Sequence, residues 1–447
     1  MNHNAPDETK WRRAVAGVLK GASFDEVLTT VRSDGTRLAP VYPRKKDAAP
    51  IEGRAPAEPW SILQRVDHPD TAAVGELLRE DLEGGADGLV LVASESPFAR
   101  GFGVALSSHG GVASLLGCMR FPQVALRLDA GAQAPQVARW IGEIEGATIH
   151  YGYDPVGLLA AQGALPPAWE QIARVLAGHR QGGTALAADG RIYHEAGAAT
   201  GLELAATLSV GLLYLRELEH GGMALEEGRQ CLGFVLAADQ IVFETLTKFR
   251  ALRLLWQRIE FLCGLVPRPV HVHAESAWRM QSRRDPATNL LRNTLATAAA
   301  GLGGADSVTT LPFTLVNGLP DAHARRIARN CQHVLLSEAN LHRIADPAAG
   351  SGGLEAMTMS LCESAWAQFQ AIERQGGIVE ALTTGWLQAE IDRTRAPVGT
   401  IVGANKFTLA EETPVSVLRP RVAEKPPESS ISALIRSRDA EPFEAVS

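Results

Sequence analysis

Short, continuous apolar runs recur along this chain, and between them apolar residues return every three or four positions. The runs cover 88–93, 124–128, 147–151, 184–188, 231–237, 269–274 and 307–311, with a weaker one at 342–346. Strands covered on both faces read this way, because neither face has to meet water. Helical spacing fills 198–218, 239–263, 288–302 and 321–338, and the first of these stops at Gly221-Gly222, as a helix end does. Eight strands separated by crossover helices predict an α/β fold of the (β/α)8 barrel type rather than an open doubly wound sheet. An open dinucleotide-binding sheet would carry G-x-G-x-x-G after its first strand. Gly101-Phe102-Gly103 supplies only part of that, with no acidic partner at the required distance.

The two ends depart from this pattern. Residues 1–59 offer one amphipathic helix over 11–28 and then Pro40, Pro43, Pro50, Pro56 and Pro59. Such a segment buries no core by itself. Leu38, Val41, Tyr42 and Ile51, followed by Trp60, favour an extended arm laid over a neighbour over a free leader. The barrel is expected over 60–407. Residues 408–447 form a tail too short for a further domain, with a linker-like stretch at 424–430.

Composition narrows the function classes. Apolar residues make up 46% and charged residues 21%, enough for a sizeable core. A net charge of −7 argues against a nucleic-acid partner, and Arg44-Lys45-Lys46 reads as a solvated arm. Cys118, Cys231, Cys263, Cys331 and Cys362 include no C-x-x-C pair, so neither a disulfide framework nor a zinc site is expected. The first residues hold no apolar signal core, and no run reaches the roughly 18 apolar residues of a membrane span. A cytoplasmic protein is the expectation.

Candidate chemistry gathers at strand ends. Residues 184–199 read as a strand, a turn at Asp189-Gly190 and a helix start, with Tyr193-His194 at the junction where barrel enzymes keep proton-transfer groups. His271, His273 and Glu275 share one face of a strand, as metal ligands or as a polar strand end lining the barrel mouth. Asp346 to Gly353 is a glycine-rich turn before a helix, suited to phosphate or required by a tight βα loop. Arg292-Asn293 would reach an anion or brace their helix.

Taken together, Glu195-Ala196-Gly197-Ala198, Leu254 with Trp256, Arg292-Asn293-Thr294, 302–307, 326–330 with Gln332, Asp346-Pro347 with Gly350-Ser351, and 402–407 occur in an order that resembles the adenosylcobalamin-dependent acyl-CoA mutases, methylmalonyl-CoA mutase above all. The resemblance covers Trp60 to Phe407. It implies a barrel with a CoA ester threaded along its axis, a separate cobalamin domain, and radical interconversion of methylmalonyl-CoA and succinyl-CoA.

Catalytic chains of that family place a Tyr-His pair directly after the turn glycine. Between Gly190 and Glu195 those two positions hold Arg191 and Ile192, and Tyr193-His194 stand two residues late, about 7 Å along an extended chain. Positioned chemistry does not survive such a shift. Tyr193 and His194 are then a structural loop pair, and no catalytic residue is assigned. Glu275 stands near a position usually held by glutamine, where its charge would repel an anionic substrate. Asp321-Ala322-His323 starts like a cobalamin-ligating motif but runs into Arg326.

The resemblance therefore implies a small, non-catalytic subunit beside a catalytic large (alpha) subunit. Adenosylcobalamin would be held by that partner and no cofactor or metal by this chain. The alternative is a catalytic substrate barrel served by a separate cobalamin-binding polypeptide.

Overall fold

The computed structural model describes residues 8–31, 37–117, 119, 124–421 and 433–444. Eight parallel strands form the centre: β1 Ser61–Val66, β2 Gly88–Val92, β3 Ala125–Asp129, β4 Ile149–His150, β5 Leu186–Asp189, β6 Leu232–Ala238, β7 His271–Ser276 and β8 Ser307–Thr309. Each strand pairs with its neighbours in sequence, and β8 pairs back onto β1 through Ser307 opposite Ser61. Bridges at Ile149–Gly182 and Tyr153–Leu186 join β4 to β5, and these close the sheet into a (β/α)8 barrel.

The strand count agrees with the apolar pattern, but its register along the chain differs. β1, Ser-Ile-Leu-Gln-Arg-Val, was hidden by Gln64 and Arg65, which are buried all the same. Residues 342–346 form no strand; there the Asp346 carboxylate is fixed by Arg250 (2.8 Å) and by the Ile51 amide (2.9 Å). Every later strand is thus one place further round the barrel than the pattern implied.

The long helix Thr200–His220 is apolar on nearly all sides because it is covered on nearly all sides. It lies between the barrel wall and the helix Gly352–Arg374. The predicted helix over 321–338 is an α-helix, Ala322–His333, that relaxes into a π turn.

At the N-terminus the predicted single helix is two, Glu8–Leu19 and Phe24–Leu28, parted by Lys20 and Gly21 in left-handed conformation. The arm that follows lies on the chain's own barrel. The Lys45 amide bonds to the Gly350 carbonyl (3.1 Å), Arg54 to the carbonyls of Ala305 and Gly301, and the Trp60 indole to Gln332 (3.0 Å). The tail is also docked. Residues Val417–Pro420 pair with Gly318–Pro320, and 433–444 cross the C-terminal mouth of the barrel, with Ser437 N on the Glu195 carbonyl (3.1 Å). The stretch 424–430 lies outside the described residues.

Candidate functional site

The junction after β5 sets the geometry of the mouth. Gly190 turns the chain with its amide on the Val235 carbonyl (2.8 Å), where a Cβ would come within 2.8 Å of Thr207 Oγ1. The next residues form a single short helix, Arg191–Glu195, not an extended segment. Two residues of helix rise about 3 Å and rotate by about 200°. The displacement of the Tyr-His pair is therefore mainly a rotation, and the extended-chain expectation of about 7 Å is corrected.

That rotation decides which side chain enters the bore. Arg191 does. Its guanidinium meets Asp189 at 2.6 Å, Asp129 at 2.9 Å and Glu275 at 3.1 Å, with the Phe98 ring centroid 3.7 Å from Cζ. Arg65 adds a second cation, held by Asp67 (2.7 Å) and the Phe98 carbonyl (2.7 Å) and lying 3.8 Å from Glu275. Arg65, Asp129, Asp189 and Glu275 come from β1, β3, β5 and β7. Alternate strands supply one layer of a packed barrel, and here that layer is ionic. All of these side chains are buried. Burial opposes the charge of Arg191, yet Asp189, Glu275 and Asp129 lift its pKa well above the ordinary value. Asp129 is likewise held below the usual carboxylate range, against burial, by Arg191 and the Ser96 hydroxyl.

Tyr193 and His194 make no hydrogen bond or ion pair with this layer. Tyr193 is buried, its pKa raised by burial and by Asp154 and Asp189. His194 lies between Glu203 (3.1 Å) and Asp239 (3.5 Å), and Lys248 also binds Glu203 (2.7 Å). Burial disfavours its charge, but Glu203 and Asp239 raise its pKa. Ile192 is part of the apolar core. Neither Ile192 nor the Tyr-His pair bonds to the charges that fill the bore.

His271, His273 and Glu275 share the inward face of β7 and serve separate partners. Glu275 joins Arg191, His273 Nδ1 is 2.8 Å from Ser307 Oγ, and His271 stacks on His150 at 4.1 Å between centroids. Burial, with Arg127 and Arg253 nearby, pushes His271 down to about 3. Among the described residues no group of three potential ligands is placed to hold a metal ion. The stacked imidazoles line a cavity of about 580 Å³ at the N-terminal mouth, together with Leu63, Ala125, Thr184 and Ser307.

The remaining candidates brace the fold. Arg292 bonds to the Val402 carbonyl (2.6 Å), and Asn293 to that of Leu311 (2.7 Å). In the glycine-rich turn, Gly350 N is taken by Glu355 (3.1 Å), and the Pro43 carbonyl passes where a Cβ of Gly352 would stand. The arm thus accounts for the glycines and covers the turn against phosphate. Asp321 caps the helix Ala322–His333 through the Ala324 amide (2.9 Å), and His323 is exposed beside Arg326. This arrangement does not fit a cobalt ligand.

Sequence reasoning missed Arg65, Asp129 and the tail arginines. A charge closing an apolar run, as in Leu126-Arg127-Leu128-Asp129, was the available signal. Arg421 and Arg438 lie over Trp278 (4.7 and 5.6 Å to the centroid) and Arg436 over Phe98 (5.9 Å), so the tail roofs the ionic layer.

A family model described as methylmalonyl-CoA mutase matches residues 170–446. The methylmalonyl-CoA mutase small subunit of Streptomyces virginiae is 36% identical over 92% of this chain and 72% of its own length. That of Propionibacterium freudenreichii subsp. shermanii is 32% identical over 98% and 73%. A methylmalonyl-CoA mutase from Cereibacter sphaeroides is 28% identical over 92% and 66%. With this sequence match on a closed (β/α)8 barrel, the chain belongs to the methylmalonyl-CoA mutase family.

Proposed function

We propose that this chain is the small, non-catalytic subunit of a heterodimeric methylmalonyl-CoA mutase, an isomerase whose large subunit holds adenosylcobalamin and carries out the rearrangement. The filled bore is the observation that supports this most. An acyl ester threaded along the axis would have to pass Arg191, Arg65, Asp129 and Glu275, which meet across it. Relatives named as small subunits support the assembly. The helix Glu8–Leu19 buries none of its residues on this chain, in keeping with an N-terminal segment offered to the large subunit. No helix among the described residues is long and apolar enough to cross a membrane, which suits a cytoplasmic complex.

The test is to express the chain alone and with the large subunit, supplying adenosylcobalamin and methylmalonyl-CoA each time. Turnover is expected only with the large subunit, and the large subunit loses stability when this chain is omitted. Turnover with only a separate cobalamin-binding polypeptide would overturn the proposal. Arg191→Tyr with Ile192→His is expected to restore nothing, because Arg65 and Glu275 still occupy the axis.

A further inference from the structure

One feature of the surface is costly to the chain that carries it. Phe407 has φ +55° and is 73% exposed. A bulky residue in the left-handed region is strained, and glycine or asparagine would sit there more easily. An exposed ring recovers nothing from the chain's own core.

The loop around it is rigid. The Ile401 carbonyl accepts from Ala404 and Asn405 N, Gly403 N bonds to the Lys406 carbonyl (2.8 Å), and the Asn405 side chain closes the turn on Ile401 N (2.7 Å) and the Gly399 carbonyl (2.9 Å). Buried Ile401 and Ala404 anchor it against Ala440 and Phe443. Strain held in place by such a frame marks a functional position.

The neighbourhood extends the apolar surface. The bond from Arg292 to the Val402 carbonyl, and Asp285 under Gly403, set the loop on the first turn of the helix Thr288–Leu302. Leu291 and Leu295, one turn apart on that helix, are 67% and 46% exposed. Val398, Val402 and Leu409 are 45–51% exposed. With Phe407 these residues, on two segments joined by the Arg292–Val402 bond, expose on the order of 600 Å² between them, the size of the largest patch of a monomer. A standard interface takes about 800 Å² per partner, a little over half of it apolar, so the patch matches the apolar share of one interface. Lys406 rests 5.4 Å from the Phe407 ring centroid, and among the described residues no carboxylate pairs with it; Glu412 is turned to the Asp285 amide (3.0 Å).

We propose that the 398–409 loop, with Phe407 at its tip and the Leu291–Leu295 ridge beside it, is the docking knob for the mutase large subunit, which receives the ring in an apolar pocket carrying a carboxylate opposite Lys406. This rests on the subunit reading above. The ring is the anchor, because buried aromatics dominate interface energetics and the frame already holds it in place.

The experiment measures affinity for the immobilised large subunit and thermal stability of the full chain. Phe407→Gly is expected to weaken binding at least about thirty-fold, as for a hot-spot aromatic. Its Tm should not fall, because glycine adopts the same backbone without strain. Lys406→Glu is expected to weaken binding about tenfold, chiefly at low salt. If the wild type binds and Phe407→Gly binds equally well, the knob is overturned while the subunit reading stands. If the wild type does not bind at micromolar concentration, both fall. Self-association of the wild type that Phe407→Gly abolishes would overturn the proposal in favour of a second copy of this chain.

Discussion

At its C-terminal end the barrel bore holds carboxylates and guanidiniums in one bonded set; at its N-terminal end the stacked imidazoles of His150 and His271 border a cavity of about 580 Å³ whose outer lining carries Arg54, Arg180, Arg229, Glu260 and Asp306. The two ends differ because buried charge must be paired and buried neutral rings need not be. Asp129, Asp189 and Glu275 are tolerable only with Arg191 among them. His150 and His271 have pKa values pushed down by burial first, carry no charge, and leave room beside them. The contrast also joins two features that looked independent in the sequence. Glu275, which by itself would repel an anionic substrate, is neutralised by Arg191 at 3.1 Å. The β5 loop and the end of β7 are thus physically coupled: Arg191 and Glu275 form one buried ion pair that fills the bore between them.

The sharpest way to break this comparison is Arg191→Met. It leaves three buried carboxylates short of their shared cation, and breaking a buried pair costs about 3–5 kcal/mol. Urea denaturation should show that loss at neutral pH. Adding Glu275→Gln should return part of it, with a coupling of about 1–3 kcal/mol. A loss under about 1 kcal/mol would mean that the upper bore is hydrated and not packed.

How far the sequence revealed these two ends follows from the same physics. Continuous apolar runs located the strands from β2 to β8, because both of their faces are covered. β1 escaped because Gln64 and Arg65 interrupt its run, and their burial depends on Asp67, Glu275 and the Phe98 carbonyl, which arrive from distant segments. Residues 342–346 mimic a strand, since spacing alone cannot distinguish a strand from a loop tethered by Arg250. That Arg191 and Ile192 precede Tyr193-His194 between Gly190 and Glu195 is plain in the sequence. The destination of Arg191 is not, because its three partners lie on three different strands.

A second, smaller effect concerns pH. Burial, with Asp189 nearby, raises Asp154 to about 7 against the opposing hydrogen bond that the Tyr214 hydroxyl donates to it. A carboxyl raised in the folded state stabilises fully below its unfolded value of 3.8, and that contribution is lost as pH rises toward 7. His194, also raised, contributes fully below 6.5 and loses this as pH rises through its folded value. Asp129, Glu195 and Glu203 are lowered, so their contribution is lost on the acid side. Asp154 and His194 therefore make stability decline toward neutral and higher pH, while the lowered carboxylates, and with them the lowered His150, His271 and His273, make it decline as pH falls. Asp154→Asn should flatten the decline toward neutrality, where each such group gives a slope of at most about 1.4 kcal/mol per pH unit. An unchanged slope in the variant would remove Asp154 from the account.

The smallest effect belongs to the open end. His271→Ala removes a neutral ring that stacks on His150 and lines an existing cavity. No charge loses its partner, so at pH 8 the cost should be about 1 kcal/mol, the worth of one aromatic contact. Its sign should depend on pH. His271 is held at about 3 in the folded chain against an ordinary 6.5, so the wild type favours proton binding by the unfolded chain and loses stability as pH falls below 6.5. The alanine variant is free of that penalty. Denaturation at pH 8 and pH 5 should show the gap narrowing and then reversing, whereas Arg191→Met should remain destabilising at both. A gap that stayed constant between the two pH values would show that the imidazole is solvated, and the lower bore would then be an extension of the surface instead of an interior left partly empty.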